Sequence, residues 1–165
     1  MKKFLLTTGI ALCLLIISNG ILAQTTTTKL DQFKLMQSYL GKWQATTGKD
    51  TIEVWDFQNY GKAIIINVHR VVKDVKTPLY KNNIAFDPKE GKFKGFALWT
   101  DAGYVTWIGS FTSEKTLSGD MVQNFTPGTS FIKFENVLVN PNEWTWTQFN
   151  KDGVKVLEYK FSKIK

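Results

Sequence analysis

The chain has 165 residues, 43% of them hydrophobic and 14% aromatic, and carries a net charge of +7. It holds one cysteine (Cys13), one histidine (His69) and one arginine (Arg70). That excludes disulfide frameworks, His- or Cys-rich metal sites and the arginine clusters that grip phosphate backbones, so no nucleic acid, metal or cofactor is expected.

Residues 1–23 read as an export signal. Lys2 and Lys3 form its basic start and Ile10 to Ile17 its apolar core, while Ile21-Leu22-Ala23 ahead of Gln24 offers a cleavage site. A membrane-spanning helix needs about 20 apolar residues, and Thr7, Thr8, Gly9 and Ser18-Asn19-Gly20 interrupt this run. Cys13 lies inside the apolar core, so the mature chain has no cysteine and no thiol nucleophile. Loss of Lys2 and Lys3 takes the net charge from +7 to +5, with 19 basic against 14 acidic side chains. A mildly basic monomer of the periplasm or the extracellular space is expected, with no membrane span after cleavage. Residues 24–29 form a flexible, threonine-rich spacer.

Residues 30–165 carry the pattern of one domain. Leu30, Phe33, Met36 and Leu40 recur at helical spacing with Asp31 in the first turn, which predicts a short amphipathic helix over about 30–40 that Gly41 ends. Ten alternating segments follow, at about 42–48, 51–58, 62–73, 79–87, 92–100, 104–111, 116–125, 129–139, 143–150 and 154–164. Turn sequences such as Gly48-Lys49-Asp50, Asp87-Pro88-Lys89-Glu90-Gly91, Pro127-Gly128 and Lys151-Asp152-Gly153 separate them. No connection has room for a crossover helix, so neighbours should pair antiparallel. Closure would remove the two open edges of such a sheet. The expected fold is therefore all-β: an antiparallel up-and-down β-barrel of about ten strands, with eight as the alternative, capped by the helix. Eight strands are nearly filled by their own side chains, whereas ten leave room for a cavity.

Alternation assigns the faces. Leu157, Tyr159 and Phe161 oppose Glu158, Lys160 and Ser162; Trp144 and Trp146 share a face; Trp107 goes with Val105 and Phe111. In the fifth segment Phe93, Ala97 and Trp99 oppose Phe96 and Leu98, so both faces are apolar. Arg70 belongs to the more hydrophobic face of its strand, with Ile64, Ile66 and Val68, and His69 to the other. An inward arginine needs an anion or a hydrogen-bonded partner, and Arg70 is the candidate for holding a ligand carboxylate. Arg70, Trp99, Trp107, Trp144, Trp146 and Tyr159 form the expected cavity set. Glu135 and Glu158 fall on polar strand faces, and Glu53 and Asp56 lie within the second segment. The sequence contains no nucleophile elbow, zinc-binding H-E-x-x-H or phosphate loop. Asp50-Thr51-Ile52 matches a short O-glycosylation acceptor pattern.

Gly41-Lys42-Trp43, directly after the short helix and opening the first strand, resembles the G-x-W signature of lipocalins. Trp99-Thr100-Asp101-Ala102-Gly103-Tyr104 and Glu143-Trp144-Thr145-Trp146-Thr147 look like the lipocalin-like (calycin) domains of unknown function in exported bacterial proteins. The resemblance implies that the helix plugs one barrel end and that Gly41 and Trp43 are structural, with Trp43 beneath the plug. Two departures stand out. Lipocalins often place an arginine from the last strand over that tryptophan, and here only lysines are available. The strand count is closer to fatty-acid-binding and nitrobindin-type barrels, but the haem-binding histidine of nitrobindins has no counterpart after His69. The expected role is binding of a small hydrophobic or amphipathic molecule inside the barrel. A filled barrel would instead suit a cell-envelope interaction module. An enzyme such as an isomerase or decarboxylase would need a buried carboxylate or a Tyr–Arg pair in the cavity.

Overall fold

The computed structural model describes residues 30–165; the expected export signal, cleavage site and threonine spacer lie outside the described residues. Among the described residues one helix, α1 (Gln32–Gln37), comes first. Asp31 caps it, its carboxylate accepting from the Lys34 amide at 3.0 Å. The helical pattern runs on to residue 40, but the last turn tightens. Ser38, Tyr39 and Leu40 donate to the carbonyls of Leu35, Met36 and Gln37, three residues back, at 3.1–3.2 Å.

Ten strands follow: β1 (Gly41–Gly48), β2 (Thr51–Tyr60), β3 (Ala63–Val72), β4 (Val75–Asp87) and β5 (Lys92–Trp99) make the first half. The second half is β6 (Tyr104–Phe111), β7 (Thr116–Val122), β8 (Ile132–Asn140), β9 (Glu143–Phe149) and β10 (Lys155–Lys163). Each pairs antiparallel with its sequence neighbour, and β10 returns to β1, closing an up-and-down barrel of ten strands. The expected fold class is the observed one.

Three strands differ from expectation by three residues or more: β7 ends at Val122 rather than 125, and β4 and β8 start elsewhere. β4 starts at Val75 because Lys73 and Asp74, at φ of 47° and 64°, form a tight hairpin turn. Pro78 lies within the strand, which takes it in at a register shift opposite His69. β8 starts at Ile132 because the preceding segment is a loop pinned by Thr129. Its hydroxyl accepts from the Gln123 amide at 2.9 Å and donates to the Thr126 carbonyl at 2.7 Å.

Closure is made by the shortest ladder. β1 and β10 pair only at Trp43–Lys163 and Gln44–Ser162, whereas β2 and β3 pair along their whole length. Aromatic packing at that end of the barrel secures the seam. Trp144 of β9 stacks on Phe161 of β10 with centroids 4.2 Å apart and planes 5° apart. Trp43 meets Trp144 edge-on, and Tyr39 packs against the same ring. The Trp43 indole N–H donates to the Tyr39 carbonyl at 2.6 Å, tying strand to helix. Gln32 ties the helix to β6, its amide donating to the Phe111 carbonyl at 3.1 Å and accepting from the Phe111 N–H at 2.7 Å.

Lys163 lies over Trp43, with Nζ 4.9 Å from the ring centroid. Gly41, beside it, has a φ of +107°, a backbone conformation unsuited to a side chain. The helix, Trp43, Trp144, Phe161, Phe57 and Phe93 thus form a solid floor.

His69 faces outward, as alternation requires. Burial lowers its pKa, Lys76 lowers it further, and Asp56 opposes them. Its Nδ1 is buried without a hydrogen-bond partner.

Trp43→Ala should cost about 3–5 kcal/mol, read by denaturant unfolding, because it removes the floor's most buried ring and its bond to Tyr39. The His69 shift sets a sign as well. A histidine held neutral in the fold binds protons more readily when unfolded, so its stability contribution is complete above the ordinary histidine range and declines below it. Melting temperature should fall between about pH 7 and pH 5, and His69→Gln should flatten that part of the profile.

Candidate functional site

Above the floor the barrel holds a cavity of about 610 Å³. Its lining runs from buried Met36 and Tyr39 at the bottom to exposed Arg70, Asp101 and Tyr104, so it opens at the end away from the helix. Period-two alternation of nearly every strand supplies the wall. Trp55, Phe57, Ile66, Ile84, Ala97, Leu117 and Phe134 are its apolar part.

Five of the expected residues line this cavity: Arg70, Trp99, Trp107, Trp146 and Tyr159. Trp144 does not. It shares a strand face with Trp146, as alternation predicted, but sits two residues nearer the floor. There it is 1% exposed and enclosed by Tyr39, Trp43, Phe57 and Phe161. Gly41 and Trp43 hold the structural positions already described.

Cross-strand neighbours arrange the aromatic wall. Tyr80 lies opposite Trp99, with centroids 4.8 Å apart, and Trp146 opposite Tyr159 at 5.8 Å. Trp55 bridges these pairs, lying 5.9 Å from Tyr80 and 5.3 Å from Trp146. Trp107 rests on Gly95, its pairing partner on β5, and donates its indole N–H to Asn82 Oδ1 at 3.3 Å.

The residue that sequence reasoning missed is Glu53. It is 7% exposed, two positions before Trp55 and four before Phe57 on the inward face of β2. That spacing was the available signal. Its Oε2 accepts from the Trp55 indole N–H at 3.2 Å. Arg70 is its cross-strand partner on β3. The guanidinium Nη2 stands 3.9 Å from Oε1, with the arginine side chain 47% exposed at the rim and that of Glu53 9%. Arg70 therefore does point inward, yet its charge already faces a carboxylate.

Glu53 is felt by two phenols. Burial pushes the Tyr80 hydroxyl well above its ordinary pKa, and the Glu53 charge, then Tyr159, add to the rise. Tyr159 is raised by burial and then by Glu53, with Arg70 opposing. Both phenols stay protonated as hydrogen-bond donors at neutral pH. Deeper in the cavity, Asn136 Oδ1 is buried without a partner among the described residues. Among the described residues, no three His, Cys, Asp or Glu side chains gather where they could hold a metal ion. No helix among them is long and apolar enough to cross a membrane.

Fold and site together define a closed ten-stranded antiparallel barrel with an aromatic-lined cavity open at one end. No protein-family model matches the chain, and no curated protein matches it either.

Gly95→Ala tests the wall. The new methyl would collide with the Trp107 indole, and relief requires the ring to swing into the cavity. Tryptophan emission should shift, and stability should fall by about 1–3 kcal/mol, the usual cost of overpacking.

Proposed function

We propose that this protein is an exported, lipocalin-like carrier that binds a small hydrophobic or amphipathic molecule inside its barrel. The observation that carries the reading is the cavity of about 610 Å³. A volume of this order suits a single small organic ligand, and most of its lining is aromatic or aliphatic. Burial of ligand surface at about 25 cal/mol per Å² supplies the driving force, and the polar groups near the mouth set orientation. A barrel acting only as an interaction module has no need of this space, which favours the container reading.

Three features support the lipocalin-like part. A short helix stops one end, Gly41-Lys42-Trp43 opens β1 beneath it, and a last-strand cation covers the tryptophan. That cation is Lys163, in the place where the resemblance leads one to expect arginine. Export rests on the pattern of residues 1–23. N-terminal sequencing of the protein recovered outside the cytoplasm should find a start at or near Gln24.

Binding is tested by intrinsic tryptophan fluorescence against fatty acids, retinoids and sterols, with Met121→Trp as the blocked control. Met121 lines the cavity and is partly buried, so an indole there should narrow the space while the fold survives. At least one compound should shift the emission of the parent protein, and Met121→Trp should weaken it by about tenfold, close to 1.4 kcal/mol. Absence of any shift across the panel would remove the carrier reading.

A further inference from the structure

Resting on the carrier reading, we infer that the cavity selects a ligand whose polar end is a protonated amine, seated against Glu53. The charge of the lining favours this polarity. Its acidic and basic side chains are two carboxylates, Glu53 and Asp101, and one guanidinium, Arg70; among the described residues no lysine or histidine lines it. Arg70 and Glu53 answer one another, which leaves a carboxylate, Asp101 at the exposed mouth, as the unbalanced charge.

Hydrogen-bonding capacity points the same way. A carboxylate accepts along about four lone-pair directions. Glu53 is filled along one of them, by Trp55, and its guanidinium neighbour at 3.9 Å is beyond direct hydrogen-bond reach. An acceptor this buried and this incompletely partnered is stabilised by a donor that enters with the ligand. The partnerless Asn136 Oδ1 is a further acceptor deeper in the wall.

The aromatic surround adds the third element. Trp55 donates to the carboxylate, Tyr80 and Tyr159 lie near enough to feel its charge, and Trp146 packs against Trp55 and Tyr159; cations are attracted to aromatic faces, more strongly once desolvated. An anionic headgroup would meet the Glu53 charge with only Arg70 to offset it.

Arg70 then acts as a placeholder. Its side chain is half exposed at the rim and can turn to solvent as the ligand ammonium takes its place opposite Glu53. Exchange of one cation for another avoids leaving Glu53 uncompensated in the wall.

The test compares three ten-carbon probes that differ only in headgroup: decylamine, decanol and decanoate, titrated at neutral pH below micelle formation and followed by tryptophan emission and calorimetry. Decylamine should bind about tenfold more tightly than decanoate. Glu53→Gln, which keeps shape, should erase that preference while decanol affinity holds. Arg70→Met, which removes the competing cation, should strengthen decylamine binding. A preference for decanoate, or unchanged or weaker decylamine binding in Arg70→Met, would overturn the inference while leaving the carrier reading in place. Failure of all three probes to bind the parent protein would overturn the inference, and the carrier reading with it only if the fatty-acid, retinoid and sterol panel also gives no shift. If Glu53→Gln does not fold, the parent headgroup series together with Arg70→Met still decides the matter.

Discussion

Closing ten antiparallel strands into one sheet creates a circumference that the inward side chains cannot fill along its whole length. Close packing, where core stabilisation resides, therefore has to be concentrated somewhere. In this protein it is concentrated at the floor. Trp43, Trp144, Phe161 and Tyr39 are almost completely buried there, at 0–2% exposure. The same rings hold the shortest ladder of the sheet, because Trp144 stacks on Phe161 across β9 and β10, and Lys163 of β10 covers Trp43 of β1. Floor packing and barrel closure are one interaction seen from two sides.

The helix has the same dependence. It is too short to be stable alone, and two side-chain contacts hold it in place. Gln32 pairs with both backbone groups of Phe111, much as another strand would, and Tyr39 gives its carbonyl to Trp43. Once the floor is solid, the wall above it is free to enclose space. There the wall holds a buried glutamate with few partners, an amide oxygen with none, and an arginine reaching back from the rim. Such local violations of packing rules are common at functional sites, and among the described residues the Trp144 indole nitrogen of the floor and the outward His69 Nδ1 are buried without a partner as well.

Much of the architecture was legible in the chain. Strand alternation, the turn residues and the helical spacing of Leu30, Phe33, Met36 and Leu40 are local signals, and they placed ten strands and one helix close to where they lie. The exceptions have local causes. Pro78 reads as a strand breaker, but a register shift accommodates it, and the positive-φ turn at Lys73-Asp74 lacks the glycine that marks most hairpins. For the cavity, inward faces were legible and depth was not. Trp144 and Trp146 are equivalent by alternation, yet one is floor and the other wall.

Sequence alone determined the fold class, the inward faces and the poverty of thiol and imidazole chemistry, because each of these depends on composition or on residues close together in the chain. Tertiary structure decided the rest: that a cavity remains, that Glu53 lies inside it, and that Arg70 faces Glu53 before any ligand does. The reason is physical. Alternation gives the side of the sheet on which a residue lies, but register between strands and closure of the barrel give its height along the axis. Height separates a ring packed into the floor from one lining the cavity.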